Sequence, residues 1–290
     1  MRALVLLLSA LVLAAPARAT DLKLATWNIA WLTLRASGDP DLPRGVTART
    51  APDFARLAAY ARRLEADVVA LQEIDGPEAA ARVFDTRAYQ FHFADERDVQ
   101  RSGFAWRREL RVARNPDLAA LDLRPQARFS LRRGADVTVG EGRARLRLLS
   151  VHLDAGCREA PLDRGDRQCE GLARQSAILA EWVRDRRAEG IAFAILGDFN
   201  RRLDGAGEEM WRELSAAAPL TRATAGVSNP CWTDARGGRP FIDHVVLGGP
   251  AREWMVQNSL RVLVYAERDF AQRDRLSDHC PVSLRLRPPA

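Results

Sequence analysis

Hydrophobic and polar positions alternate from Leu22 to Asn28, with Leu22, Leu24 and Thr26 on one side, the period of a strand. Thr33–Thr50 is rich in glycine, proline and aspartate and predicts a long loop. A helix is expected from about Pro52 to Leu64. Thr50 is its candidate N-cap, with Asp53 three residues on, and Phe54, Leu57, Ala58, Ala61 and Leu64 form one apolar face. Asp67–Ile74 predicts a buried strand, and Phe104–Trp106, Ala127–Leu131 and Leu146–Leu153 are further strand candidates. A second long helix should cover about Gly171 to Arg187, with Leu172, Ile178, Leu179, Trp182 and Val183 inward. Ile191–Leu196 is a continuous apolar strand ending at Gly197, and Trp211–Ala217 a short helix. Ile242–Leu247, Ser259–Tyr265 and Val282–Leu286 close the chain as strands. Strands outnumber helices and each helix lies between strands, which predicts an α/β fold of packed sheets with outer helices.

Composition bounds this picture. The 290 residues, 47% of them apolar, suffice for one large domain and its core. Met1–Ala19 reads as a signal peptide: Arg2 supplies the positive end, Leu4–Ala15 is apolar, and Ala17-Arg18-Ala19 fits a cleavage site. The expected mature domain is then residues 20–290, secreted or periplasmic and monomeric. No later stretch is long and apolar enough to suggest membrane insertion. Cys157, Cys169, Cys231 and Cys280 follow the export signal, so disulfides are expected. Three pairings are open; Cys157–Cys169, closing a local loop, with Cys231–Cys280 is the expected one. The formal charge is +6, and +4 without Arg2 and Arg18. Lys23 is the only lysine. A GC-rich genome accounts for most of that arginine bias, and the mild positive balance is compatible with a polyanionic partner.

The chemistry sits where apolar strands stop. Ala25–Ile29, Ala70–Ile74, Leu149–Leu153, Leu196–Asn200 and Phe241–Val245 each carry a carboxylate, amide or imidazole, and Leu276–Cys280 repeats the pattern before the last strand. Acids beside buried runs need partners or a cation. Singly, each has an ordinary explanation: a turn cap, a strand-exit charge, a hydrogen-bonded core histidine. Together they point to one shared site, because three of the chain's four histidines fall in these segments and only His92 lies outside.

In order and wording the six segments resemble the endonuclease/exonuclease/phosphatase superfamily, the fold of deoxyribonuclease I, over about Leu22 to Leu286. The resemblance implies a four-layer α-β-β-α sandwich of two mixed β-sheets, with the site at one edge. It implies Glu73 as the main metal ligand with Asn28 and Asp278 nearby, for Mg²⁺ or Mn²⁺ with Ca²⁺ as a further candidate. Asp198 and Asn200 would orient or deprotonate the attacking water. Their i, i+2 spacing suggests an extended segment with both side chains on one face. His279 would contact the phosphate with Asp243 orienting it, and His152 would be the second imidazole. His244 follows Asp243 directly and should point to the other face, outside the site. Arg124 resembles a phosphate-contacting arginine.

The implied activity is hydrolysis of phosphodiesters, with nucleic acid as the expected substrate. Two features of the family are missing. No tyrosine occurs in Arg101–Trp106, and Asp75 stands where deoxyribonuclease I has an arginine for the minor groove. A sphingomyelinase-like or inositol-phosphatase-like phosphoesterase is the alternative. The polar Thr33–Thr50 and Ala155–Cys169 segments speak against a lipid-binding hairpin, while Trp211, Trp232 and Trp254 would favour one if exposed. A catalytically dead binding scaffold is disfavoured because every site position keeps its chemical type. A serine hydrolase is disfavoured by the lack of a Gly-x-Ser-x-Gly elbow.

Overall fold

The computed structural model describes residues 21–232 and 238–290, so the segment expected to be a signal peptide lies outside the described residues. Two six-stranded sheets form the centre. In chain order the elements are β1 (Leu22–Leu32), α1 (Ala51–Leu64), β2 (Val68–Ile74), α2 (Pro77–Ala80), β3 (Tyr89–Phe93), β4 (Arg101–Arg107), β5 (Val112–Arg114) and β6 (Ala135–Val139). They continue with β7 (Leu146–His152), α3 (Arg167–Ala188), β8 (Ala192–Asp198), α4 (Glu209–Ala217), β9 (Leu220–Arg222), β10 (Asp243–Gly248), α5 (Ala251–Trp254), β11 (Arg261–Val262) and β12 (Val282–Leu286). One sheet has the order β11-β12-β1-β2-β4-β3, the other β5-β6-β7-β8-β10-β9.

The strand period of two explains the layers. Leu24, Val68, Ala70, Leu148, Ala194 and Leu196 meet between the sheets. Their neighbours Ala25, Val69 and Leu71 face the other way and pack with Phe54 and Leu57 of α1. Leu149 and Ile195 likewise turn outward, to Leu172 and Leu179 of α3 and Leu214 of α4. Each fully buried leucine contributes roughly 2 kcal/mol, and three such clusters make the expected four-layer sandwich. Helix α1 is capped as its sequence implies: the Thr50 backbone N–H and hydroxyl both donate to Asp53, at 2.8 and 2.7 Å. Helix α3 starts four residues before Gly171, because Asp166 accepts from Cys169 N and caps it earlier.

A buried polar chain crosses the apolar interface. Thr26 Oγ1 donates to Gln72 Oε1 at 3.1 Å, Gln72 Nε2 donates to Ser150 Oγ at 3.0 Å, and Ser150 Oγ donates to Leu71 O at 3.1 Å. This buried chain ties β1 and β2 of one sheet to β7 of the other.

Two expected strands fail. Ala127–Leu131 is a loop, because side chains take its backbone donors: Asp122 accepts from Arg124 N and Leu131 N, and Asp98 accepts from Ser130 N and Oγ. The strand comes later, at β6. Ser259–Tyr265 shrinks to the two-residue β11.

Candidate active site

Register places the site. Asp198, the last residue of β8, is paired with His152 of β7 on one side and with Asp243 of β10 on the other. Residues directly opposite each other share a face, so all three side chains meet at one sheet edge. Strands β7 and β8 approach closely here. A Cβ on Gly197 would lie 2.0 Å from Val151 O, so only glycine fits before Asp198.

The other sheet contributes Asn28 and Glu73. By alternation Glu73 should point away from Gln72, towards α1. Instead Glu73 has φ 61°, and the β2–β4 register slips between Leu71 and Ile74. This bulge lets Leu71 and Ile74 both pack on the helix side while Glu73 turns back to the cleft. A side chain held in the left-handed region is strained backbone at a candidate functional position. The end of β1 is similarly irregular, with Ala30 at φ 36° and Trp31 at φ 55°. Asn28 Nδ2 donates to Glu73 Oε1 at 3.0 Å and to Asp198 Oδ2 at 3.2 Å, linking the sheets. Asn28 Oδ1 accepts from Ala30 N at 2.9 Å, and Glu73 Oε2 accepts from Trp31 N at 3.1 Å.

Asn200 reaches the cleft by a different route from the extended segment expected. Its φ is 50°, its backbone N–H donates to Asp198 Oδ1 at 2.8 Å, and its Nδ2 donates to Leu153 O at 3.0 Å. A turn, and not strand alternation, brings it beside Asp198.

The two imidazoles stand in opposite states. His279 Nδ1 lies 2.8 Å from Asp243 Oδ2, and its Nε2 lies 3.7 Å from Asp198 Oδ2 and 3.8 Å from Asp278 Oδ1. Burial alone would lower the His279 pKa, but the carboxylates of Asp243, Asp198 and Asp278 outweigh it and hold the ring well above its ordinary value. His152 Nε2 lies 3.6 Å from Glu73 Oε1 and 3.7 Å from Asp198 Oδ2, while its buried Nδ1 has no partner. Burial, reinforced by the positive charges of Arg132 and His279, pushes its pKa well down. Asp198 is raised to about 7, first by burial and further by Asp243 and Glu73, against the opposing pull of His279. Pairs of groups driven apart in this way mark acid–base roles.

Two sets of residues are candidates for holding a metal, one by geometry and one by the resemblance. Ligand atoms of Asp198, Asp243 and His279 lie within 4.8 Å of one another. Within that trio His279 is already paired with Asp243 through Nδ1 and turns Nε2 towards Asp198. The resemblance-implied set is Glu73 and Asp278 with Asn28. Its hard carboxylate oxygens, opening on the cleft beside the buried Asp198, fit a divalent ion.

These groups floor a cleft of about 680 Å³, lined by eight arginines against five carboxylates. Arg124 is among them, its guanidinium 3.8 Å from Asp154. His244 lies outside, as its alternation implies: Nδ1 is 2.7 Å from Thr224 Oγ1 and Nε2 is 3.0 Å from Arg201 O. Asp75 is occupied by Thr33 and Arg35 at 2.7 and 2.8 Å. Several supporting residues were invisible in the sequence. Arg49 donates to the carbonyls of Ile29, Ala30, Trp31, Arg275 and Leu276. Tyr265 accepts from Trp27 Nε1 and donates to His279 O, both at 2.9 Å. Buried Arg132 donates to Leu153 O beside His152. One arginine among so many carries no local signal; only Tyr265, in a chain with 3 tyrosines, stood out in kind.

A site with this make-up, at the edge of a two-sheet sandwich, falls within the hydrolases of phosphate esters. The sequence profile of the endonuclease/exonuclease/phosphatase family matches residues 25–279, and the chain belongs to that family. No curated protein is significantly similar in sequence. Among solved structures, truncated TDP2 from Caenorhabditis elegans superposes with a TM-score of 0.59 at 14% identity, covering 93% of this chain and 98% of that one. The AP endonuclease LMAP from Leishmania major gives a TM-score of 0.60 at 17% identity, covering 95% and 90%. The 3' phosphatase NExo from Neisseria, solved with a product DNA hairpin, gives 0.57 at 19%, covering 91% and 99%. At these identities the likeness is one of fold.

Proposed function

We propose that the protein is an exported, divalent-metal-dependent phosphodiester hydrolase whose substrate is nucleic acid. The observation that carries this reading is the setting of Asp198, a buried carboxylate that accepts from Asn28 and from the Asn200 N–H and lies 3.7 Å from both His152 and His279, where burial raises its pKa towards neutrality. At neutral pH such a carboxylate is poised to take a proton from an attacking water. The Asn200 N–H fixes one of its oxygens. The His279 imidazolium, held by Asp243, stabilises negative charge on the phosphoryl oxygens. Neutral His152 is a hydrogen-bonding partner on the opposite side. Glu73 and Asp278, with Asn28 beside them, would hold the metal. A bound Mg²⁺ or Mn²⁺ supplies Lewis-acid neutralisation of the scissile phosphate. Arg124 and its neighbours provide positive charge for a polyanion.

Two disulfides among the described residues support an oxidising compartment, hence export. Among the described residues no helix is long and apolar enough to cross a membrane. The lipid alternative gains nothing from the tryptophans: Trp254 is buried, Trp211 lies against Arg222, and Trp232 packs on Tyr265.

The test is a turnover panel of DNA, RNA, sphingomyelin and small phosphomonoesters, in Mg²⁺, in Mn²⁺ and in EDTA. Nucleotide release that stops in EDTA and returns with metal is expected. Turnover of another ester without any release from nucleic acid would remove the nuclease reading, and full activity in chelator would remove the metal.

A further inference from the structure

The loop at residues 122–131 carries an apolar side chain that the proposed catalytic groups do not use. Phe129 is 38% exposed, yet it lines the same cleft as Glu73, His152, Asp198 and His279. Its position is fixed. Asp122 closes the loop through Arg124 N and Leu131 N, and Asp98 pins the adjoining Ser130. The Arg128 guanidinium lies over the Phe129 ring, 5.1 Å from its centroid. Arg128 also donates to Pro40 O, which ties this loop to the 37–48 loop. Beyond the ring lies a second depression, walled by Ser37–Ala48 and Arg275. Phe129 and Arg128 line both hollows and so form the ridge between them.

An exposed aromatic ring beside arginines, on a loop tied at both ends, suits one ligand chemistry above others. Every nucleobase has a π-face that stacks on an aromatic side chain, and its backbone seeks cationic walls. Within a duplex those faces are covered by neighbouring bases. An unpaired base presents one. An inositol phosphate offers no aromatic face.

We propose that the catalytic cleft continues over Phe129 into the 37–48 depression, and that the two together seat an extended single strand of nucleic acid with an unpaired base stacked on Phe129. This rests on the phosphodiesterase reading and narrows its substrate class. Arg128 holds the ring and places positive charge beside the strand as it crosses the ridge.

The test compares kcat/KM on a short single-stranded oligonucleotide with that on a fully abasic strand of the same length, which has no aromatic face to stack. Phe129→Ala should lower the ratio of the two about tenfold or more, and Phe129→Trp should preserve it. A second arm needs no variant. Wild-type protein should bind a fluorescent single strand, read by anisotropy, more tightly than the same strand made abasic around the cleavage position, and should cleave it faster than the blunt duplex. An unchanged ratio in Phe129→Ala, equal affinity for the abasic strand, or equal rates on single strand and duplex would each overturn the platform. Absence of turnover on bis(4-nitrophenyl) phosphate and on every nucleic acid would instead reject the phosphodiesterase reading, with the anisotropy arm still deciding the platform.

Discussion

His279 and Asp243 meet at 2.8 Å through Nδ1, and the same ring turns Nε2 towards Asp198 at 3.7 Å. Asp243→Asn keeps the shape of this pair and removes its charge. His279 should then titrate nearer its ordinary value. The alkaline limb of the kcat–pH profile should move to lower pH, and kcat near pH 8 should fall about 10²-fold or more. The stability consequence has a definite sign. The folded-state pKa of His279 is raised, so its stabilisation is complete below the unfolded value of 6.5 and fades as pH rises through the folded one. The Tm loss in Asp243→Asn should therefore be larger near pH 6 than at high pH. A rate profile superimposable on wild type would show that Asp243 does not set the charge of His279.

Arg49 donates to the carbonyls of Ile29, Ala30, Trp31, Arg275 and Leu276, which belong to the irregular end of β1 and the approach to Asp278. Burial lowers its pKa to about 10, still charged at neutral pH. Arg49→Ala strands several buried acceptors, each costing about 1–3 kcal/mol. Denaturant melts should show a loss of about 3 kcal/mol or more, together with reduced kcat. Arg49→Lys should recover little, since an ammonium has three donors and no planar fork. A lysine variant as stable and active as wild type would contradict this account.

The Cys157–Cys169 and Cys231–Cys280 bonds, spanning 12 and 49 residues, match the expected pairing. Loop closure predicts about 3 and about 4 kcal/mol respectively. The second is next to a proposed catalytic group, since Cys280 follows His279, whereas the first lies among residues of the cleft wall, Ala155, Arg158 and Arg167. Cys231→Ser with Cys280→Ser should lower both Tm and kcat, whereas Cys157→Ser with Cys169→Ser should lower mainly Tm. Full kcat in the first double variant would show that the bond does not position His279.

Glu96 has one oxygen accepting from Arg133 N at 2.9 Å and the other, Oε1, buried without a partner. Burial pushes its pKa up to about 8, the Arg133 N–H opposes this, and Asp98 adds to it. Between the ordinary value of 4.5 and about 8, the folded state keeps a proton that the unfolded state has lost, so stability falls as pH rises across that window. Glu96→Gln removes the cost. Thermal melts should show a gain above about pH 8 and none near pH 4. An equal gain at both would assign the effect to packing.

The interior strands other than β6, and the two long helices, were legible because burial on one or both faces writes a period of two or 3.6 into the sequence. The edge strands β5 and β9 were not, since each has only three residues and no buried position. Ala127–Leu131 misled because Phe129 and Leu131 alternate like a strand, while Asp122 and the more distant Asp98 claim its donors. Asn28, Glu73, His152, Asp198, Asn200, Asp243, Asp278 and His279 were all legible from strand-end wording. The Glu73 bulge was not, because nothing local distinguishes a glutamate at φ 61° from one continuing the strand.

The chain through Thr26, Gln72 and Ser150, with the Asn28–Asp198 bond, acts as an indexing pin between two sheets packed on an oily interface. Glu73 stands on one sheet, and His152 and Asp198 on the other. Each sheet can be intact while the site is not, so the chemistry reports the docking of the halves and not their presence. On mild denaturation, turnover should disappear before the far-ultraviolet signal of the strands. That makes activity the stricter measure of whether this protein has finished folding.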